Sequence, residues 1–326
     1  MKYKSEVVCV TGGAGLIGSF LLELLLKDYS KVVIADDFST GIKQNIMNVA
    51  KEIEIREGNL ENFDFCKKAL HKCDHVYHLA SRAFGIGYNN SNHLEMLFHN
   101  EKVTNNLMDC LRFSNAERLL VTSSSCVYDD QGPDIIPELP VFLDNPEKAN
   151  KGYGWAIRFL ECKTQILSEE TGIKTIVVRP FNIYGERYKW RGENSQAIPM
   201  LISKLLSKNK SVDVWGSGNQ RRNYLHAKDC ADIMKQLFDT CYTDGPINIG
   251  TKKTISIREL VELIIDLTNS KTIFNFDLTK PEGRTIKSSD TKLLYSLLPK
   301  YKPEISLRSG LSKMIKWYNN LIQNHQ

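Results

Sequence analysis

The cysteine and histidine residues of the chain lack the spacings typical of metal sites and redox pairs. The eight cysteines form no C-x-x-C pair, and most lie in apolar segments, where a free thiol packs as a small hydrophobic group. His71, His75 and His78 are close in sequence, but His75 and His78 fall across a predicted strand and no carboxylate cluster accompanies them. We therefore expect free thiols and no metal site. The cysteines are at positions 9, 66, 73, 110, 126, 162, 230 and 241.

Long apolar runs, a signal peptide and basic clusters are also missing. The longest apolar run, Phe20 to Leu26, is broken by Glu23 and is far too short to span a bilayer. The net charge of +5 is mild, and no basic stretch is interleaved with aromatic residues. We therefore expect a soluble, cytoplasmic protein that binds neither membrane nor nucleic acid. The small excess of positive charge suits an anionic small ligand.

A short β-branched run, Val7 to Val10, leads directly into three glycines spaced three apart. These are Gly12, Gly15 and Gly18, and an apolar helix is predicted after them. Glycine permits a sharp turn and lets a pyrophosphate approach the backbone at the N-terminus of the helix. The pattern favours a dinucleotide-binding turn over an ordinary βα turn.

A second predicted strand, residues 31–35, ends in Asp36 and Asp37. An acidic side chain about 20 residues after the glycines accepts hydrogen bonds from the adenosine ribose and repels a 2′-phosphate. No arginine follows directly. We therefore predict NAD rather than NADP, with Asp36 as the main ribose contact, and we note that Asp37 is also explained as a solvated carboxylate.

The first 180 residues alternate between predicted strands and helices. This alternation indicates βαβ units and a parallel sheet covered on both faces, and hence a doubly wound α/β (Rossmann) fold. The hydrophobic content of 42% and the charged content of 25% are ordinary for a globular chain of 326 residues. The predicted strands are 6–11, 31–35, 53–55, 74–78, 118–122 and 174–179, and the predicted helices are 16–28, 42–50, 62–71, 92–114 and 152–171.

The pattern changes after Pro180. We predict a polar loop over 185–197, helices near 197–208, within 224–242, near 256–268 and near 305–323, strands over 212–215, near 248–250 and near 271–276, and a loop over 279–289. The chain thus divides into an NAD-binding domain and a smaller, discontinuous α/β substrate-binding lobe. The first comprises residues 1–181 plus about 224–250, and the second about 182–223 and 251–326.

Several segments, taken in order, resemble the extended short-chain dehydrogenases/reductases that act on nucleotide sugars, the NAD-dependent epimerase/dehydratase family. Among its branches, the motifs are most similar to the GDP-mannose 3,5-epimerases and GDP-fucose synthases. The segments are Gly58-Asn59-Leu60, His78-Leu79-Ala80-Ser81, Asn100, Ser123 to Tyr128, Tyr153-Gly154-Trp155 and Arg179 to Gly185. Besides the glycines and aspartates, the resemblance implies cofactor contacts at Leu16, Ile17, Asn59, Leu60, Leu79, Ala80, Ser81, Asn100, Ser123 and Tyr153.

The resemblance also implies the chemistry. A sugar hydroxyl must lose its proton while its carbon loses a hydride, so a base is needed within hydrogen-bonding reach. The resemblance makes Tyr153 that base and has Ser124 hold the same hydroxyl, although a buried helical tyrosine without a catalytic role is the alternative. The family's lysine, one helical turn later, is here Ile157, and Arg158 lies about 100° further round the helix. We therefore expect slow oxidation that accelerates toward alkaline pH.

Cys126 occupies the place of a cysteine that moves ring protons in the GDP-mannose 3,5-epimerases. Its lysine partner in that branch corresponds to Gln196, which cannot exchange a proton in this role. Cys126 is thus either catalytic or a packing residue. Ser125 and Cys126 stand where the family's 4,6-dehydratases carry an Asp-Glu pair, which argues against elimination of water.

Several positions resemble the family's sugar-nucleotide contacts. Asn182 matches a phosphate contact, and Arg222 matches an arginine that pairs with the diphosphate, which suits the guanidinium fork. Arg284 and Lys287 lie in a segment similar to a loop of the GDP-sugar enzymes, and Gly87 lies in another that borders the sugar. The resemblance therefore favours a GDP-linked sugar as the substrate. The alternative for both arginines is a solvated surface residue.

Three functions are compatible with these residues. The first is an NAD-dependent oxidoreductase that oxidises C4 of a GDP-linked hexose or heptose, with the keto product released. The second is a GDP-sugar epimerase, at C4 or at C3 and C5, with a transient keto intermediate. The third is a non-catalytic protein that binds NAD and a nucleotide sugar.

The resemblance also implies a homodimer formed through the predicted helices 92–114 and 152–171. The first of these has an apolar face that either contacts a partner subunit or covers the sheet. That face consists of Leu94, Leu97, Val103, Leu107 and Leu111.

Overall fold

The computed structural model describes residues 2–188, 195–207, 211–240, 242, 244–280 and 283–323. The strands are β1 (Tyr3–Thr11), β2 (Tyr29–Asp36), β3 (Glu54–Glu57), β4 (His75–His78), β5 (Arg118–Thr122), β6 (Ile135–Ile136), β7 (Lys174–Pro180), β8 (Ile183–Tyr184), β9 (Ser211–Trp215), β10 (Arg221–Asn223), β11 (Leu225–His226), β12 (Pro246–Ile249), β13 (Thr254–Ser256), β14 (Ile273–Asp277) and β15 (Ile286–Ser289). The helices are α1 (Gly18–Leu25), α2 (Phe63–Leu70), α3 (Ile86–Ser91), α4 (His93–Leu111), α5 (Lys151–Thr171), α6 (Ala197–Leu206), α7 (Ala227–Thr240), α8 (Ile257–Thr268), α9 (Lys292–Leu297) and α10 (Leu307–Gln323).

A parallel sheet is the centre of the fold. Its seven strands within the described residues run in the order β12-β7-β5-β4-β1-β2-β3. Consecutive residues of β1 face opposite sides, so that Val10 packs with α1 and α7 whereas Cys9 packs with α2, α4 and α5. Helices on both faces of a parallel sheet make a doubly wound α/β fold, and the predicted fold class is confirmed.

One predicted helix of this region is wrong. The segment 42–50 forms only a short 3-10 helix, Lys43–Ile46. The buried Asn45 side chain donates to the carbonyl oxygens of Ala14 (2.9 Å) and Arg187 (3.1 Å). These bonds tie the segment across the glycine turn, and a tertiary requirement of this kind overrides local helix propensity.

A second set of short strands lies beyond the sheet. β13, β10, β15 and β6 form a four-stranded sheet, and β14 pairs with β9. A third apolar cluster is formed mainly by α6, α8 and α10, with Ile202, Leu260 and Leu311 fully buried. The predicted loop 279–289 is wrong at its end, because β15 pairs in parallel with β10 there. Strands of two to four residues carry too little alternation to be recognised in a sequence.

The predicted apolar face of α4 is divided between core and surface. Val103, Leu107 and Leu111 are buried against the sheet, whereas 66% of Leu94 is exposed. α4 packs along α5. Among the described residues, no helix is long and apolar enough to cross a membrane.

Candidate functional site

The glycine turn lies between the end of β1 and the start of α1. Gly12 has a positive φ of 69°, and a Cβ there would lie 2.8 Å from the backbone nitrogen of Ala80. A Cβ on Gly18 would lie 2.5 Å from the carbonyl oxygen of Gly12, so this glycine allows the helix to approach the strand closely. The turn therefore leaves its backbone accessible to a pyrophosphate, as the sequence predicts.

The Asp36 carboxylate lies beside this turn, with 8% of the residue exposed. One oxygen accepts the backbone N–H of Ala14 (2.9 Å) and the other that of Phe38 (2.8 Å). Burial raises the pKa of Asp36, against these two hydrogen bonds, which lower it. Each carboxylate oxygen keeps a second lone pair for a ribose hydroxyl. Asp37 is exposed and accepts hydrogen bonds from Ser39.

A cavity of about 940 Å³ extends from the glycine turn across the carboxyl ends of the strands. This is where ligands bind in doubly wound folds. The predicted site residues on its wall are Gly12, Gly15, Leu16, Ile17, Gly18, Asp36, Asp37, Asn59, Leu60, Leu79, Ala80, Ser81, Gly87, Ser123, Ser124, Cys126, Tyr153, Asn182, Arg222 and Lys287.

Two predicted contacts do not lie on that wall. Asn100 is buried and bonds to both backbone groups of Arg82, accepting from its N–H (2.9 Å) and donating to its carbonyl oxygen (3.2 Å). Arg284 donates to the carbonyl oxygens of Asp129, Gly132 and Pro133. In the structure Asn100 fixes the segment that carries Arg82, and Arg284 fixes the segment 129–133.

Tyr153, in the first turn of α5, is the centre of the predicted chemistry. Ser81 and Ser124 are the polar side chains nearest to its hydroxyl that affect its ionisation. Burial and the neighbouring Cys126 raise the pKa of Tyr153, and the two serines lower it. The phenol is therefore protonated at neutral pH unless a positive charge comes close to it.

Neither residue near the family's lysine position supplies that charge. Ile157 is 1% exposed and packs in the apolar cluster beneath the sheet. The Arg158 side chain is fully buried and points away, since it donates to the carbonyl oxygens of Val127 and Asp144 and to the Asp144 carboxylate. Arg158 is a structural cation, as its position on the helix predicts.

Cys126 lies beside a buried ion pair that the sequence analysis missed. The Glu147 carboxylate accepts hydrogen bonds from the Lys287 ammonium (2.9 Å) and from the Asn150 amide (2.8 Å). The backbone N–H of Glu147 donates to the carbonyl oxygen of Cys126 (3.3 Å), which places this ion pair next to the thiol. Glu147 belongs to no recognised motif, and only the fold brings it to residues 126 and 287.

The wall opposite the glycine turn carries the other predicted substrate contacts. Arg222 on β10 is paired in register with Lys287 on β15. Asn182 has a positive φ of 45°, a conformation that asparagine tolerates better than most residues, and it directs its amide to Asn223 (3.4 Å). Gln196 donates to the carbonyl oxygens of Ala83 and Phe84, so its amide is engaged in holding that segment.

Arg187 is a cavity-wall residue that the sequence analysis also missed. One guanidinium nitrogen donates to Glu23 on α1 at 2.5 Å, and the guanidinium lies 4.0 Å from the centre of the Phe20 ring. Nη1 is buried and has no hydrogen-bond partner among the described residues. Its position two residues after the Arg179 to Gly185 segment was the only signal in the sequence.

Residues 189–194, within the predicted loop 185–197, and residues 281–282, within the predicted loop 279–289, lie outside the described residues. The seven described cysteines are free thiols. Within the described part of the chain, no three His, Cys, Asp or Glu side chains are grouped so that they could hold a metal ion.

Comparison with known proteins identifies the family. The model of the NAD dependent epimerase/dehydratase family matches residues 8–250, about three quarters of the chain. The chain belongs to this family. The match covers the glycine turn, Asp36, Ser124 and Tyr153, and it establishes NAD as the cofactor that the glycine turn and Asp36 fit.

Relatives in this family act on nucleotide sugars. The chain is 29% identical to GDP-L-fucose synthase 1 from Arabidopsis thaliana, over 98% of this chain and 94% of that protein. It is 25% identical to GDP-mannose 3,5-epimerase 1 from Oryza sativa subsp. indica, over 98% and 83%. Among solved structures, UDP-N-acetylglucosamine 4-epimerase from Methanobrevibacter ruminantium M1 aligns with a TM-score of 0.86 and 26% identity, covering 98% and 99% of the two chains.

Proposed function

We propose that the protein oxidises C4 of a GDP-linked hexose or heptose and transfers the hydride to NAD. The observation that supports this most strongly is that Tyr153, Ser81 and Ser124 lie together on the wall of the cavity that begins at the glycine turn. The preference for GDP rests on the relatives, which include GDP-L-fucose synthases and GDP-mannose 3,5-epimerases.

In this proposal each end of the cavity has its own task. The glycine turn receives the pyrophosphate, and Asp36 accepts hydrogen bonds from the adenosine ribose. Arg222 and Asn182 contact the sugar-nucleotide diphosphate. NAD supplies an acceptor for the hydride and a positively charged ring when bound.

The protein's own residues handle the proton. Ser124 and Tyr153 hold the C4 hydroxyl, whose proton passes to the Tyr153 phenolate while C4 loses its hydride and becomes a ketone. The buried phenol must ionise first, and no lysine stands at position 157 to assist. Oxidation is therefore slow at neutral pH and faster at alkaline pH.

A second candidate is epimerisation, at C4 or at C3 and C5. The relatives named for 3,5-epimerisation favour it, as does Cys126 on the cavity wall. Inversion next to a ketone requires an acid and a base on opposite faces of the ring. Cys126 and Lys287 are next to the same residue, Glu147, and Gln196, at the position of the lysine partner, cannot exchange protons. The non-catalytic alternative leaves the Ser81–Tyr153–Ser124 arrangement without a purpose.

Turnover distinguishes these functions. The protein is incubated with GDP-sugars while NADH absorbance is followed, and the products are analysed by mass spectrometry. A released product two mass units lighter than the substrate supports the dehydrogenase, and adding a small ketone as a second hydride acceptor then sustains turnover. An isomer of unchanged mass supports the epimerase, and the absence of any product with all GDP-sugars supports the binding protein.

We also propose a homodimer that uses the exposed edges of α4 and α5, where Leu94, Phe98, Phe159 and Ile166 are solvent-exposed apolar residues. Light scattering of the protein, compared with a Phe98→Glu variant, tests this assembly. A wild-type monomer would contradict it.

A further inference from the structure

Four polar side chains form a buried group at the sugar end of the cavity. Glu147, which precedes the short 3-10 helix Lys148–Asn150, is 6% exposed, and Lys287 on β15 is 5% exposed. The Glu147 carboxylate accepts hydrogen bonds from Lys287 and Asn150, and the backbone N–H of Glu147 donates to the carbonyl oxygen of Cys126. Cys126, Glu147 and Lys287 all line the cavity. The neighbour of the thiol is therefore an ion pair and not an unpaired lysine.

The charges of this group are fixed by their mutual contacts. Burial opposes ionisation of Glu147, but the Lys287 charge and the hydrogen bonds from Lys287 and Asn150 outweigh it and hold the pKa of the carboxyl at about 2. Burial tends to lower the pKa of Lys287, yet Glu147 raises it above its ordinary value. The pair is ionised at neutral pH, and each charge is neutralised by the other.

The thiol next to this pair is protonated. Burial raises the pKa of Cys126 to about 11, and the opposing influences of Lys287 and Glu147 largely cancel. A thiol removes a proton from carbon only as its thiolate. Two further ionisable groups interact with these side chains. Cys126 raises the pKa of Tyr153, and Arg222 lowers the pKa of Lys287.

We propose that Glu147 is a positioning residue that determines reaction specificity: by pairing with Lys287 it keeps Cys126 as a thiol, so that the 4-keto sugar retains its hydrogens at C3 and C5. The inference rests on the proposed C4 oxidation. Those hydrogens are acidic once C4 is a ketone, and a thiolate beside the ring would remove them. Glu147 thus distinguishes a dehydrogenase from an enzyme that also exchanges the hydrogens next to the ketone with solvent.

Replacing Glu147 by glutamine makes the prediction testable. The Glu147→Gln amide keeps the shape of the side chain but leaves Lys287 as an uncompensated cation next to Cys126. An opposite charge at this distance lowers the pKa of an acid by about 1–3 pH units. The thiolate then takes a proton from C3 or C5, the C–H electron pair enters the enolate, and the thiol exchanges its proton with solvent before returning one to the carbon.

The first experiment needs no turnover. The rate of alkylation of Cys126 by iodoacetamide is measured against pH, with mass spectrometry of the peptide that contains Cys126 so that the other cysteines do not interfere. We expect the midpoint to fall by about 1–3 pH units in Glu147→Gln. Two controls accompany it. Glu147→Asp keeps the charge and the wild-type profile, and the double variant Glu147→Gln/Lys287→Met removes both charges and returns the midpoint toward the wild-type value.

The second experiment measures exchange in D₂O during oxidation of a GDP-sugar, with a sample of ketone without enzyme as the blank. Wild type should yield ketone without deuterium at C3 and C5, whereas Glu147→Gln should exchange about tenfold faster or more. Wild-type exchange as fast as turnover, or an unchanged alkylation profile in folded Glu147→Gln, overturns the inference. Absence of ketone with every GDP-sugar contradicts the proposed function instead, and the alkylation profile still decides the role of Glu147.

Discussion

The two ends of the cavity are built in different ways. At the cofactor end, backbone shape dominates: Gly12 adopts a positive φ, and Gly18 lets α1 approach the strand. At the sugar end, side chains from distant parts of the chain meet, as Cys126, Glu147 and Lys287 do. In the proposed function, the backbone turn binds NAD, and the side chains at the sugar end determine what happens to the substrate. The two ends should therefore respond differently to substitution.

The largest expected effect separates chemistry from cofactor binding. Tyr153→Phe removes the hydroxyl that lies near Ser81 and Ser124 on the cavity wall, and a general base is worth about 10²–10⁴ in rate. We expect turnover to fall by that factor while NAD binding, measured by calorimetry, is unchanged. Retention of most activity in Tyr153→Phe would move the base to another residue.

The second-largest effect should distinguish two arginines that both match substrate-binding motifs in the sequence. Arg222 lines the cavity, whereas Arg284 is engaged with the carbonyl oxygens of residues 129–133. Hydrogen bonds to charged groups are worth about 1.5–3 kcal/mol. We expect Arg222→Gln to raise KM for the GDP-sugar by about ten- to a hundredfold, with kcat little changed. Arg284→Gln should lower the melting temperature and leave KM near the wild-type value, and equal KM values for the two variants would contradict the assignment.

Gly12 and Gly172 test the cofactor end. Both have positive φ, 69° and 77°, but a Cβ on Gly172 meets nothing within 4 Å, whereas one on Gly12 meets Ala80. Left-handed backbone costs an alanine about 1–2 kcal/mol. Gly172→Ala should show that cost in urea unfolding and keep its affinity for NAD. Gly12→Ala should be less stable than Gly172→Ala and bind NAD more weakly, and equal behaviour would show that the turn tolerates the contact.

Replacing Ile157 tests whether the reaction is slow because no positive charge lies beside the Tyr153 phenol. A lysine one turn after Tyr153 should lower the pKa of the phenol by about 1–3 pH units, so the rising limb of the pH–rate profile should move to lower pH. Oxidation at neutral pH should accelerate by about tenfold. Ile157→Met serves as the uncharged control of similar length. Identical pH profiles of the Lys and Met variants would mean that Tyr153 is not the group whose ionisation limits the rate.

The contrast also explains which features the sequence predicts. The glycine turn and Asp36 form a single local sequence pattern, and the long strands of the main sheet are recognisable in the sequence as apolar runs. Glu147 stands in no motif and is found only by folding the chain. Arg284 matches a motif but points elsewhere, because the direction of a loop side chain depends on neighbours such as the carbonyl of Gly132. The short strands β10 and β15 are too brief to show alternation.

The pairing of β10 with β15 sets the alignment of the two cavity-wall cations. Arg222 lies opposite Lys287 in this parallel pair, which has only two residues in register. Because side chains alternate between faces, a slip of β15 by one residue would turn Lys287 away from the cavity while Arg222 stayed in place. The Asn223 amide, which donates to Ser289 (2.8 Å) and to the carbonyl oxygen of Thr251 (2.9 Å), pins these strands. The Asn223 amide thus helps to fix the register of β10 and β15, and the positions of the two positive charges in the sugar pocket depend on that register.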